Sequence, residues 1–202
     1  MKKNLILTCV TLLLTLAAGV AGATDLTGKL GVTGRLGFQV PFDSESTNGY
    51  YGSINNISTD VGFVWGGGFM YGINKNIAAE LDITNSNFNG NGTFGAPTEF
   101  NVINLSLGAQ YRFRELSGFC PYAGVGLDIL VNGANNGYDV DTNVGAHVSG
   151  GVDYFLTKHF ALTTEVKLVV APNTNISNSA GKQGNFDPSS FNMTFGVRYF
   201  IN

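Results

Sequence analysis

The chain has 202 residues, with 11 Lys and Arg against 14 Asp and Glu, a formal charge of −3, 28 glycines and 12% aromatics. That length suits one domain, and the mild acidity offers nucleic acid no basic face. So much glycine argues against a helical protein, because glycine is a poor helix former.

The first stretch, MKKNLILTCVTLLLTLAAGVAGATDL, reads as an export signal. Lys2 and Lys3 form a positive start, Leu5 to Leu16 an apolar run, and Ala21-Gly22-Ala23 the small residues a signal peptidase needs. The apolar run is too short for a membrane-spanning helix, which takes about 20 residues. Residues 1–23 are therefore expected to be cleaved, leaving residues 24–202 as the domain. Cys9 is a passenger in the signal, and only Cys120 survives cleavage. One cysteine allows no internal disulfide and no cysteine-rich metal site; no metal, cofactor or catalytic motif is expected.

The mature chain alternates with a period of two, the mark of strands whose side chains point to opposite faces. In chain order, the apolar faces are Leu30, Val32, Leu36, Phe38 and Val40, then Val61, Phe63, Trp65, Phe69, Tyr71 and Ile73. Ile77 to Ile83, Ile103 to Phe113 and Ala123 to Val131 follow the same parity. Val144 to Leu156, Phe160 to Val170 and Phe191 to Ile201 complete eight strands. The opposite faces hold Gly, Ser, Thr and nearly all the charges of these segments, as in "GAHVSGGVDYFLTKHFALTTEVKLVV" (145–170).

A soluble barrel points its apolar face inward. Here the large apolar residues occupy one long face and the small and charged ones the other, which suits the inverted arrangement of a membrane barrel. A closed sheet is also the only way for strands to sit in lipid without unpaired backbone. The expected fold is all-β: an eight-stranded antiparallel up-and-down transmembrane β-barrel. The connections agree, with long links at 42–58, 85–98, 132–142 and 172–189 and short ones at 74–76, 114–120 and 157–159. In such barrels short turns face the periplasm and long loops the exterior.

Two sets of residues follow from this geometry. Arg35, Glu80, Asp82, Arg112, Asp128, His147, Asp153, Glu165, Lys167 and Arg198 face the lumen, where charges must pair because an isolated buried charge is costly. They are expected to form a salt-bridge network fixing strand register; a gate whose pairs exchange partners is the alternative. Tyr71, Tyr111, Phe113, Tyr154, Phe160 and Tyr199 fall on the apolar face at the short-turn end, as expected of a periplasmic aromatic girdle.

Other motifs carry less. His147-Val148-Ser149 has the nucleophile-and-base spacing of a hydrolase. An outer-membrane lipid A deacylase family uses such a pair flanked by Arg and Asn, where this chain has Ala146 and Gly150, and parity puts both residues in the lumen. Gly31, Gly34 and Gly37 lack the strand-then-helix context of a phosphate loop. Asp139 and Asp141 fall short of the six or more oxygens that Ca²⁺ takes.

"FCPYAGVGLD" (119–128), "HVSGGVDYFLTKHFAL" (147–162) and "DPSSFNMTFGVRYF" (187–200) resemble the small outer-membrane β-barrel superfamily. The outer-membrane protein W family is the nearest, with opacity-type and OmpA-type barrels as wider relatives. The resemblance implies location in the cell outer membrane. It also implies contact with outer-membrane lipid and lipopolysaccharide, and delivery by periplasmic chaperones and the barrel-assembly machinery. The implied role is a monomeric, non-enzymatic barrel, structural or a passive path for small hydrophobic molecules. An adhesin or receptor acting through loops 42–58 and 172–189, or a lipid A-modifying enzyme, are the alternatives. One departure stands out: the family's last strand ends on an aromatic that the assembly machinery reads, whereas Ile201 and Asn202 end this chain.

Overall fold

The computed structural model describes residues 25–42, 60–89, 99–114, 118–135, 137, 139–178 and 181–201. The expected signal and its cleavage point lie outside them, as does the first long link beyond Phe42 up to residue 59.

Eleven strands are described: β1 (Leu30–Pro41), β2 (Gly62–Gly72), β3 (Ile77–Asn89), β4 (Glu99–Arg112), β5 (Phe119–Ala134), β6 (Asp139–Val140), β7 (Asn143–Phe155), β8 (Phe160–Val170), β9 (Thr174–Asn178), β10 (Gly181–Phe186) and β11 (Ser190–Ile201). Eight close into an antiparallel barrel in the order β1-β11-β8-β7-β5-β4-β3-β2. The other three form a small sheet, β10-β9-β6, beside the long-link end.

The registers fix the size of the barrel. Cα partners followed from Leu30 run through Tyr71, Ala79, Ala109, Val125, Val148, Leu168 and Phe191 back to Val40. The stagger is thus 40 − 30 = 10 residues. With about 3.3 Å per residue and about 4.8 Å between strands, eight strands so staggered tilt by about 40° and enclose a backbone radius of about 8 Å. Each residue then climbs about 2.5 Å along the axis, and each step to the next strand about 3 Å.

Exposure inverts the usual order. Leu107 and Leu127, at mid-barrel, are 63% exposed, while Arg198 and Asp153 are fully buried. From Ile103 to Phe113 the outer face of β4 and its end is apolar for ten steps. That run rises about 25 Å at this tilt, the height of a membrane barrel's apolar band.

The turns have local causes. Asn74 Oδ1 accepts the amides of Asn76 and Ile77 at 2.8 and 2.9 Å, closing the β2–β3 turn. Thr157 Oγ1 accepts the amides of His159 and Phe160 at 3.2 and 3.0 Å, closing β7–β8.

Several expected boundaries differ. The link 85–98 is shorter than its pattern, since β3 runs on to Asn89 and pairs with β4 from Glu99. The link 132–142 gives up its first residues to β5 and contains β6, and β5 begins at Phe119, inside the expected turn 114–120. The link 172–189 is largely the β9–β10 hairpin. The apolar-out pattern stops where these strands rise past the band, but the ladder of backbone hydrogen bonds does not.

Candidate functional site

The lumen is built in layers, each supplied by inward positions of several strands. Lowest is an apolar floor of Leu26, Met70, Ala78, Ala161 and Phe200, with Phe155 packed against it. Phe155 and Phe200 stack with ring centres 5.5 Å apart.

Above the floor lie three arginines. Arg198 donates from Nη1 to Asp153 Oδ2 at 2.7 Å, from Nη2 to Glu80 Oε1 at 2.9 Å and from Nε to Thr33 Oγ1 at 2.8 Å. Arg112 Nη2 meets the same Asp153 oxygen at 2.5 Å, and its Nη1 reaches Gln110 Oε1 at 3.2 Å. Arg35 donates to Glu165 at 2.8 Å and to Glu80 at 3.0 Å. It also lies 3.0 Å from Asp82 Oδ1, an ion contact whose angle falls outside hydrogen-bond geometry. Lys167 donates to Ser106 Oγ at 3.2 Å and stands 3.8–3.9 Å from Glu165 and Asp82, within reach of both but tight to neither.

Eight of the ten lumen residues read from the sequence thus join one continuous net: Arg35, Arg112, Lys167 and Arg198 with Glu80, Asp82, Asp153 and Glu165. Four cations face four anions, so the net is neutral. The other two stand apart: His147 Nδ1 pairs with Asp128 Oδ2 at 2.7 Å, and Asn104 donates to Asp128 Oδ1 at 2.9 Å. His147 is buried in the lumen, its ring lying where a Cβ on Gly126 would come within 2.6 Å of Cε1.

The net has neutral members absent from the candidate set. Tyr122 donates to Glu165 Oε2 at 3.1 Å, and its ring carries the guanidinium carbons of Arg112 and Arg198 at 5.4 and 5.8 Å from the centroid. Gln110 donates to Glu80 Oε2 at 2.5 Å. Thr33 and Ser106 complete the set as acceptors, from Arg198 Nε and Lys167 Nζ. Parity placed all four inward; a search limited to groups charged at neutral pH passes over them.

The lumen ends above in an apolar cap. Phe88, Phe100 and Phe186 stack with centroids 5.3–6.2 Å apart, joined by Val102, Leu130, Val140, Val169 and Ile176. Val140 comes from β6, Ile176 from β9 and Phe186 from β10, so the small sheet supplies the lid. Outside it, an open groove of about 580 Å³ crosses the rim of β3, β4 and β5, lined by Asn87, Phe88, Glu99, Phe100, Asn101 and Ala134 among others.

The six candidate girdle residues sit on the outer face within about 6 Å of height on the scale set by the stagger. Tyr111 and Phe113 meet edge to face at 5.1 Å, and Tyr199 is the Cα partner of Phe160. Phe119, assigned to a turn from the sequence, adds a seventh ring 4.5 Å from Tyr154.

Comparisons with known proteins fit this architecture. A family model described as "Outer membrane protein beta-barrel domain" matches residues 9–199. The uncharacterized outer-membrane protein y4mB of Sinorhizobium fredii is 31% identical over 136 residues, 63% of this chain and 58% of that protein. The chain thus matches a little over half the length of that relative. Among solved structures, the outer membrane protein OprG of Pseudomonas aeruginosa aligns with a TM-score of 0.74 at 19% identity, covering 87% of this chain and 97% of that one. Outer membrane protein AlkL aligns at 0.63 and 17% identity, over 92% and 94% of the two chains. Neisserial surface protein A aligns at 0.59 and 20%, over 85% and 98%. At these identities the structural likeness is one of fold; the family match, spanning nearly the whole sequence, makes this chain a member of the outer-membrane protein β-barrel family.

Proposed function

We propose that the protein is a closed, monomeric structural barrel of the outer membrane, delivered by an N-terminal export signal and seated with its short turns toward the periplasm. One observation carries this reading: among the described residues, buried side chains enter the lumen at the floor, through the ion-pair layers and at the cap. A backbone radius of about 8 Å leaves room for little beyond side chains. Arg112, Asp153 and Arg198 fill the lower half in ion pairs too buried to serve as a wetted path. On this reading the salt-bridge net fixes strand register and the aromatic ring marks the membrane boundary, where amphipathic rings are favoured. The role is non-enzymatic: His147 is held by Asp128 between glycines, away from any lipid substrate. Planar-bilayer recording tests it directly. Purified protein should leave the bilayer at its leak current, and discrete open-channel steps would overturn the structural reading.

A second reading has one observation in its favour. Phe88 and Phe100 belong both to the cap and to the rim groove, so an apolar surface runs from outside to the top of the lumen. That continuity suits entry of a small hydrophobic solute. Uptake of radiolabelled decane by expressing cells, above that of cells without the protein, would favour it; equal uptake would leave the structural role alone.

A further inference from the structure

Outside the lumen the charges are sorted by end. Lys29 leads into β1, Lys75 lies in the β2–β3 turn, Arg114 follows β4 and Lys158 lies in the β7–β8 turn. Every turn at this end, and the entry to β1, therefore carries one cation. Of the remaining cations beyond the lumen and residues 1–23, only Lys182 falls in a long link. The acids run the other way. Asp60, Glu99, Asp139, Asp141 and Asp187, with Asp43 and Glu45 by sequence, belong to the long-link end. Only Asp25 and Glu115 belong to the short-turn end, the latter outside the described residues.

Three further facts give the four cations a direction. Among the described residues none of the four is tied to a carboxylate within 4.0 Å. Asp25, the acid beside them, accepts from the Thr27 hydroxyl and amide at 2.5 and 3.0 Å and lies near enough to Lys75 and Lys29 to feel their charge, without forming an ion pair with either. Each cation also sits within two residues of the outward ring or of its Cα partner. Lys29 precedes Leu30, the partner of Tyr71; Lys75 stands two before Ile77, the partner of Tyr111; Arg114 follows Phe113; Lys158 stands two before Phe160.

We propose that this rim docks anionic phospholipid headgroups, phosphodiesters with no compensating amine. The inference rests on the membrane placement proposed above. Aromatic belts lie at the headgroup level, so side chains just beyond them stand among lipid phosphates. A zwitterionic headgroup brings an ammonium that these cations repel; an anionic one brings only the phosphate. Such attraction is local and screened by salt.

The experiment uses the mature protein in phosphatidylcholine bilayers with trace spin-labelled phosphatidylglycerol or spin-labelled phosphatidylcholine. The motionally restricted fraction at the barrel surface gives the relative association constant. At low salt phosphatidylglycerol should be preferred by about threefold. The preference should fall to about one in roughly 1 M NaCl, where the Debye length is about 3 Å, and in the Lys29→Gln, Lys75→Gln, Arg114→Gln, Lys158→Gln variant. Inorganic phosphate should lower it no more than chloride at equal ionic strength. Equal association of both lipids with the wild-type protein overturns the proposal. So does a salt-insensitive preference, a variant that keeps it, or selective loss on adding phosphate, which would mark a free-anion site. A spectrum with no restricted component at all would sink the membrane placement itself, a failure distinct from restricted lipid without headgroup preference. The salt titration needs no mutation, so it decides the matter even where the fourfold variant refolds poorly.

Discussion

Replacing Arg198 by methionine removes the cation that the net can least spare. The side chain is fully buried, and its three nitrogens hold Asp153, Glu80 and Thr33 at 2.7–2.9 Å. The eight-member net would pass from neutral to one excess negative charge inside a low-dielectric cylinder. Removing one partner of a buried pair costs about 3–5 kcal/mol. The lower end applies here, because Asp153 keeps Arg112 and Glu80 keeps Arg35. Arg198→Met should therefore lower unfolding stability by about 3 kcal/mol, read by guanidinium titration in lipid bilayers and by gel-shift melting of the refolded barrel. Asp153→Asn alone should cost a similar amount, since it leaves Arg112 and Arg198 sharing one neutral amide. The double variant restores neutrality, so its loss should fall short of the sum by about 1–2 kcal/mol, as expected for residues in one network. Additive losses, or a single-variant loss under about 0.5 kcal/mol, would refute the claim that the net acts as a charge-balanced unit.

Four other outcomes follow from the same geometry. Gly151→Val places a side chain where a Cβ already comes within 2.5 Å of the Thr164 carbonyl oxygen and of the Tyr122 hydroxyl, so it should shift the β8 backbone as well as that ring and cost about 2–3 kcal/mol. Gly34→Ala, with nothing within 4 Å, should change the same melting curve by less than about 0.5 kcal/mol. Leu107→Arg, on the outer face at mid-height, should cost about 2–4 kcal/mol in a bilayer, whereas Asn101→Arg at the rim should cost about 0–1; equal costs would deny that the outer face meets lipid. Phe186→Ala should loosen the lid, seen as faster amide exchange at Ile176 and at its Cα partners Gly184 and Val140. Bilayer conductance should meanwhile stay at leak, because the arginine layers below still fill the lumen; new conductance would show the cap to be the only seal.

Most of the barrel was legible because a period of two is a strong signal when one solvent is lipid. Every outward residue from Ile103 to Phe113 and every inward one from Asn104 to Arg112 followed from parity alone. The net was legible as a set of residues but not as a circuit. Parity cannot say that His147 turns to Asp128 rather than to Glu165, or that Lys167 hangs back at 3.8 Å or more from its carboxylates. Tyr122 and Gln110 were overlooked for a chemical reason: they enter as neutral donors and as a ring face, and neither registers in a count of charges. The β9–β10 hairpin was hidden because its residues, rich in Asn, Ser and Gly, read as a loop. Its pairing rests on backbone bonds and on Gly181, whose φ of 106° suits the turn after Asn178.

The misplaced end of β3 contains the better clue to where the membrane stops. Up to Ile83 the strand is apolar outside and charged within. Beyond it Asn85, Asn87 and Asn89 face out, while Ser86 and Phe88 face in. β4 makes the same exchange, with Asn101 outward between the buried Phe100 and Val102. Asn101 Nδ2 donates to Asn85 at 2.9 Å and to Asn87 at 2.6 Å, a polar ladder that lipid tails would not favour but water tolerates. One continuous pair of strands thus changes from the polarity of a membrane barrel to that of a soluble one without a break in its backbone ladder. Nothing in the backbone changes at that level, so the cause must be the surroundings. Below, lipid rewards apolar side chains outside and forces the charges together; above, water reverses both preferences, which is why the cap over the lumen is made of phenylalanine rather than arginine.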